Sequence, residues 1–240
     1  MSMDNARNGT PNPQRLVGTL RDALFLSPHF DDAVFSCGAF IGQCRRAVVV
    51  TVFGGAPVDG SMVTEWDSRC GFRDAHHALA TRRAEDAEAL RVLGAEGAWL
   101  PFCDAQYGQA LDEAALFRAL RQAFLGAALP ALIFPLGLFH ADHRATWRAC
   151  MALAARNVHL LAFEDAIYRR IPGQVQSRIV ELAASGLVAT PVTLPGDAGG
   201  DLKRHAARCY RSQWKAFPPG GLDDLADPER YWLIERSDGP

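Results

Sequence analysis

The sequence predicts an α/β fold: a Rossmann-like, doubly wound, mostly parallel sheet with helices on both faces and a small C-terminal extension. Three observations carry this. Short apolar, β-branched runs such as Ala47-Val48-Val49-Val50-Thr51-Val52-Phe53 have the character of strands buried on both faces. Helix-length segments alternate with them, as right-handed crossovers require. Polar clusters rich in His and Asp follow two of the runs directly, at the strand ends where open α/β sheets place their ligands.

A chain of 240 residues, 49% hydrophobic, is long enough to bury one sizeable core, and we read residues 21–240 as one domain. Residues 1–20, with two Pro and three Asn and no periodicity, read as a flexible N-terminal arm. The net charge of -2 supplies no basic stripe for nucleic acid and no polybasic segment for a membrane, so small-molecule chemistry is favoured. No apolar run of about twenty residues occurs and the N-terminus lacks a signal-peptide centre, which predicts a cytoplasmic protein. Six scattered cysteines without a C-x-x-C pair indicate reduced thiols rather than a zinc ribbon or a disulfide framework.

In chain order, Ala23-Leu24-Phe25-Leu26 is the first strand, followed by the turn Ser27 to Gly38 and a helix over 33–45, where Gly38 and Gly42 allow a close approach. After the second strand, 47–53, the stretch 54–75 has no clear period. It reads as a long loop or lid at the catalytic edge, carrying Trp66, Arg69, Arg73 and Asp74. A helix over 76–93 stops at Gly94; Arg82, Glu85 and Asp86 share a face of it and read as a solvated ion-pair set. Residues 98–102 form a short strand leading to a loop with Asp104, and Asp112 caps a helix running to about Leu125. The next strand is 131–134, a helix spans 146–156, and a fifth strand, 159–163, delivers Glu164 and Asp165 to the same edge. Residues 175–180 and 187–194 alternate like an edge hairpin, 202–217 reads as helix, and 231–234 is a last packing segment.

Two clusters carry the chemistry. The first is Pro28-His29-Phe30-Asp31-Asp32-Ala33; by itself its Asp residues are also explained as caps of a helix start. The second is His140-Ala141-Asp142-His143, whose two imidazoles, three positions apart, share one face of a helical turn, with Asp142 available to orient a histidine. Two imidazoles and one carboxylate make a three-ligand site that leaves a position open for water, the arrangement of catalytic zinc. The remaining Asp is placed to act as base for a metal-assisted amide or ester hydrolase.

With these motifs the chain resembles the PIG-L/LmbE-like zinc-dependent deacetylases, whose pattern is P-H-P-D-D-E followed about a hundred residues later by H-x-D-H. Further matches are Arg82-x-x-Glu85, Asp104, Phe163-Glu164-Asp165 with Tyr168, and Tyr210-Arg211-Ser212-Gln213. The resemblance implies removal of an N-acetyl group from an amino sugar or a metabolite bearing one, in specialised metabolism. It implies His29, Asp32 and His143 as metal ligands, Asp31 as general base, His140 as oxyanion stabiliser or acid, and Asp142 as an orienting group. Substrate contacts are expected among Trp66, Arg69, Arg73, Arg82, Asp104, Glu164 and Asp165. Zinc is the implied cofactor, though two His and one carboxylate also suit other divalent metals. Phe30 stands where the family has Pro, and Ala33 where it has Glu, which alters the floor of the site. A metal-dependent hydratase or lyase, another amide or ester hydrolase, and a homo-oligomeric assembly all stay open at this point.

Overall fold

The computed structural model describes residues 18, 20–153, 158–194 and 200–237. The arm over 1–20 and the end of the helix read as 146–156 fall largely or partly outside these residues.

A seven-stranded sheet is ordered β3-β2-β1-β4-β5-β7-β6. Its strands are β1 (Asp22–Ser27), β2 (Arg46–Thr51), β3 (Glu96–Trp99), β4 (Ala131–Pro135), β5 (His159–Phe163), β6 (Leu187–Val192) and β7 (Tyr231–Arg236). The first five run parallel, while β7 pairs antiparallel with β5 and β6 with β7. The helices are α1 (Asp32–Ile41), α2 (Glu65–Cys70), α3 (Ala75–Leu93), α4 (Glu113–Ala127), α5 (Ala141–Leu153), α6 (Gln174–Ala184), α7 (Gly200–Ala207) and α8 (Arg211–Ala216).

The strands show why the sheet must be covered twice. Ala23 and Phe25 of β1, Ala131 and Ile133 of β4, and Leu161 and Phe163 of β5 join one core with α1, α3 and α7. Leu24, Leu26, Leu132, Phe134, Leu160 and Ala162, the intervening residues, join a second core with α4, α5 and α6. A strand apolar at every position therefore buries alternate side chains on opposite faces.

Three segments differ from the sequence reading. The loop over 54–75 contains α2, started by a capping box in which Thr64 accepts from the Asp67 amide and Asp67 accepts from the Thr64 amide. Six residues are too few for a hydrophobic period to register. The predicted hairpin over 175–180 is instead α6, because Val175, Ile179 and Leu182 recur at helical spacing and pack on the second core. Residues 187–192 do form an edge strand, with β7 as partner. The helix read over 202–217 is two, α7 and α8, separated at Arg208 to Tyr210.

Strands β1 and β4 are neighbours, and the chain winds outward from them in opposite directions, to β2 and β3 on one side and to β5 on the other. The crevice beyond their carboxyl ends is the topological switch point. Both chemical clusters begin within a few residues of these two ends.

Candidate metal centre and catalytic cleft

The turn after β1 is folded on its own polar atoms. Ser27 Oγ accepts from the Ala33 amide and donates to the His29 carbonyl. The His29 amide donates to Asp32 Oδ2 at 2.7 Å, so Asp32 does help begin α1. Asp31 occupies the N-cap position yet makes no side-chain cap hydrogen bond, and its carboxyl lines the cleft.

Each of two buried imidazoles is held from behind by a carboxylate. Asp142 Oδ2 lies 2.9 Å from His29 Nε2 and also accepts from the Ala105 amide. Asp165 Oδ1 contacts His143 Nδ1, and its other oxygen accepts from the Leu138 amide. The nitrogens left facing the cleft are His29 Nδ1 and His143 Nε2. Asp32 Oδ2 stands between them, 3.2 and 3.1 Å away.

That arrangement fits a divalent cation. His143 Nε2 is buried and has no hydrogen-bond partner among the described residues despite the nearby carboxylate oxygen. With Nδ1 donating to Asp165, Nε2 is a bare lone pair facing another acceptor, a cost unless a proton or a metal lies between. Without a cation a proton answers the crowding: burial pulls His143 down, but the charges of Asp32 and Asp165 outweigh it and raise it to about 9. Burial pushes Asp32 up, but the His143 and His29 imidazoles hold it well below the usual carboxylate range. His140 also approaches: ligand atoms of His29, His140 and His143 lie within 4.8 Å of one another. Its Nδ1, however, accepts from the Asp142 amide at 3.3 Å.

Burial and the adjacent Asp32 charge raise the Asp31 carboxyl, against the opposing pull of Arg82 and His29. Burial, then the neighbouring His29 and His143, lower His140, which favours its neutral form. Arg82 reaches Asp31 at 3.7 Å and Asp104 at 3.6 Å, over the Phe30 ring, and its buried Nε has no partner. The loose contacts leave its guanidinium with donors to spare.

A cavity of about 340 Å³ opens over these groups, walled by Trp66, Tyr168 and Phe217 with Gln106, Ile167 and Gln213. The structure brings Trp66, Arg82 and Asp104 to it, but four expected substrate contacts are corrected. Arg69 is exposed and paired with Glu65 on the outer side of α2. Arg73 is exposed on the segment entering α3. Glu164 is buried against Trp232 Nε1 and Arg230. Asp165 is buried behind His143. Residues Gln106, Ile167 and Phe217 escaped the sequence reading because nothing local marks them; they meet only through tertiary packing. His76 is exposed, His77 is half-buried, and neither lines the cleft.

Fold and site together define a class: a Rossmann-like α/β protein with a histidine and carboxylate centre, suited to a divalent cation, at its switch point. Residues 24–154, more than half the chain, match the PIG-L family, described as GlcNAc-PI de-N-acetylase, and the chain belongs to that family. A 2'-N-acetylparomamine deacetylase from Niallia circulans is 27% identical over 263 aligned residues, 90% of this chain and 91% of that protein. A triple mutant of a deacetylase from the teicoplanin biosynthetic pathway superposes with TM-score 0.74 at 26% identity, covering 91% of this chain and 99% of that one. The zinc-inhibited form of teicoplanin deacetylase Orf2 shares the fold, with TM-score 0.73, 22% identity, and coverage of 91% and 99%. No helix among the described residues is long and apolar enough to cross a membrane.

Proposed function

We propose that this protein is a metal-dependent hydrolase that removes an N-acetyl group from an amino sugar or a small metabolite bearing one. The observation that carries this reading is the Asp32 oxygen shared between two imidazoles, each pinned from behind, with the uncommitted Asp31 carboxyl beside them. His29, Asp32 and His143 would hold the cation, with zinc the metal we infer. The chemistry such a cation supplies is Lewis acidity, which lowers the pKa of water and polarises an amide carbonyl.

The remaining work falls to side chains. Asp31, raised by burial and by Asp32, accepts the proton of the attacking water and returns it to the leaving amine. His140, kept neutral and with Nδ1 engaged by the Asp142 amide, presents an Nε2 hydrogen for the oxyanion that develops on the acyl oxygen. Asp142 and Asp165 fix the tautomers of His29 and His143. Trp66, Tyr168 and Phe217 offer faces for the apolar side of a sugar ring, while Arg82, Asp104, Gln106 and Gln213 offer polar partners for its hydroxyls. The N-acetylated paromamine relative supports an amino-sugar substrate, and the teicoplanin deacetylase supports a natural-product setting.

Acetate release from 2'-N-acetylparomamine, N-acetylglucosamine and N,N'-diacetylchitobiose, with and without added zinc after chelation, tests the reading. We expect zinc-restored release from at least one. Bound zinc with no acetate from any would overturn the substrate assignment, and acetate release insensitive to chelation would overturn the metal role.

A further inference from the structure

Behind the catalytic turn lies a buried carboxyl that the mechanism above does not use. Asp86, on α3, is completely buried and has no cation partner among the described residues. The charged groups nearest it in sequence are committed elsewhere: Arg82 faces Asp31 and Asp104, Arg83 covers the Trp99 ring, Glu85 accepts from Ser212, and Glu88 pairs with Arg211. Asp86 instead meets Thr51 Oγ1 of β2 at 3.3 Å and Trp99 Nε1 of β3 at 2.7 Å, both on Oδ2. Its Oδ1 lies 2.7 Å from Tyr210 Oη, and the same hydroxyl lies 2.9 Å from the Phe30 carbonyl. Tyr210 is itself fully buried.

The proton count decides the state of this chain of atoms. A phenol has one hydrogen, and the Phe30 carbonyl can only accept. Were Asp86 ionised, one of the two short contacts of Tyr210 Oη would set lone pair against lone pair. With a proton on Asp86 Oδ1 every contact is satisfied: Asp86 donates to Tyr210, and Tyr210 donates to the Phe30 carbonyl. Phe30 sits between the His29 and Asp31 of the site. We infer that Asp86 is a neutral carboxylic acid which, through Tyr210, fixes the Phe30 peptide and so positions the turn that carries His29 and Asp31. The role is one of positioning, since neither Asp86 nor Tyr210 lines the cleft.

Electrostatics points the same way: burial, reinforced by the Asp31 charge, raises Asp86 to about 7 against the lowering effect of its three hydrogen-bond partners. A carboxyl raised on folding contributes stability that is fully present below its unfolded value and is lost as pH rises through the folded one. The protein should therefore lose stability from this group between the ordinary carboxylate range and about pH 7.

Asparagine copies the neutral acid, with Oδ1 accepting from Trp99 and Thr51 and Nδ2 donating to Tyr210, whereas alanine removes the link. This inference rests on the proposed hydrolase reading for its kinetic part only; an infrared difference spectrum at pH 6 needs no activity. We expect a protonated-carboxyl band in the wild type that disappears in Asp86→Asn, and a Tm that falls less with pH in Asp86→Asn than in the wild type. On the best substrate, Tyr210→Phe and Asp86→Ala should lower kcat about tenfold with KM unchanged, and Asp86→Asn should restore most of it. Absence of the band, or failure of Asp86→Asn to recover the loss seen in Asp86→Ala, would overturn the neutral-acid assignment. A folded Tyr210→Phe with wild-type kcat would overturn the positioning role. Lack of acetate release by every variant and by the wild type would count against the hydrolase reading instead, leaving the spectrum to decide the proton.

Discussion

The turns after β1 and β4 occupy equivalent places at the switch point, yet they are built differently. The β1 turn is closed by its own atoms and by α3 and α8 behind it: Ser27 and Asp32 bind its amides, and Tyr210 holds its Phe30 carbonyl. The β4 turn is more open. Phe139 is 60% exposed and holds a positive φ of 52°, Gly137 one of 79°, and His140 is only half-buried. A left-handed conformation costs a bulky residue about 1–2 kcal/mol, which the surrounding packing must offset. Phe139 stacks on Tyr168 and His140 packs against the same ring, so this turn joins the candidate metal centre to the aromatic wall. A rigid turn suits ligation and proton transfer, and an open one suits contact with a variable substrate.

The largest expected effects break the shared centre itself. Asp32→Asn on the first turn and His143→Ala on the second should each lose bound zinc and activity together, measured by elemental analysis beside turnover. Zinc affinity of the wild type should climb with pH toward about 9, because the proton held on His143 must leave as the metal enters. Calorimetry in buffers of different ionisation enthalpy would show the released proton. Pairs of variants that keep metal would show that the two turns do not share one site.

The next effect separates ligation from proton transfer within the β1 turn. Asp31→Asn should keep zinc and lose about 10²–10⁴-fold in kcat, the usual worth of a general base. The acid limb of the wild-type rate profile should lie above the ordinary carboxylate range, since the proposed base, Asp31, must be ionised and burial and Asp32 raise it. Full activity in Asp31→Asn would reject the hydrolytic scheme. On the β4 turn, His140→Ala should also keep zinc and lose about 10²–10³-fold, as for one oxyanion donor removed. Metal loss in His140→Ala would move it into the ligand set, in keeping with its approach to the other two imidazoles.

Smaller effects test the supports. Asp165→Asn should weaken zinc affinity about 10–100-fold, because His143 loses the group that orients it. Phe139→Gly should be the mildest: relief of the left-handed strain is balanced by the greater freedom of glycine in the unfolded chain, so Tm should move little. Turnover and zinc content should then change by less than about threefold. A larger loss of turnover would mean that the Phe139 and Tyr168 stack shapes the cleft directly.

Much of this was legible in the chain. Strands such as Ala47 to Phe53 announce burial on both faces because every position but Thr51 is apolar, and Gly94 and Asp112 mark helix ends by local backbone chemistry. His29, Asp31, Asp32, His140, Asp142 and His143 could be singled out because their spacing within each turn is short. Asp86 misleads for the opposite reason: on a bare helix it reads as half of a solvated pair with Arg82, and only the sheet and the segment leading into α8 reveal that it is buried with Tyr210 while Arg82 faces Asp31.

By itself the sequence determined the alternation of strands and helices, the two clusters and the residue types available for ligation, because periodicity and turn chemistry act over a few residues. Tertiary structure alone decided which partner holds which atom: Asp142 behind His29 across 113 positions, Asp165 withdrawn from the substrate to serve His143, Glu164 turned to Trp232, and Phe217 brought to the cleft beside Trp66. The physical reason is that a carboxylate's role is set by the donors and charges within a few ångströms of it, and those arrive from strands and helices that the sheet order, not the local sequence, makes neighbours.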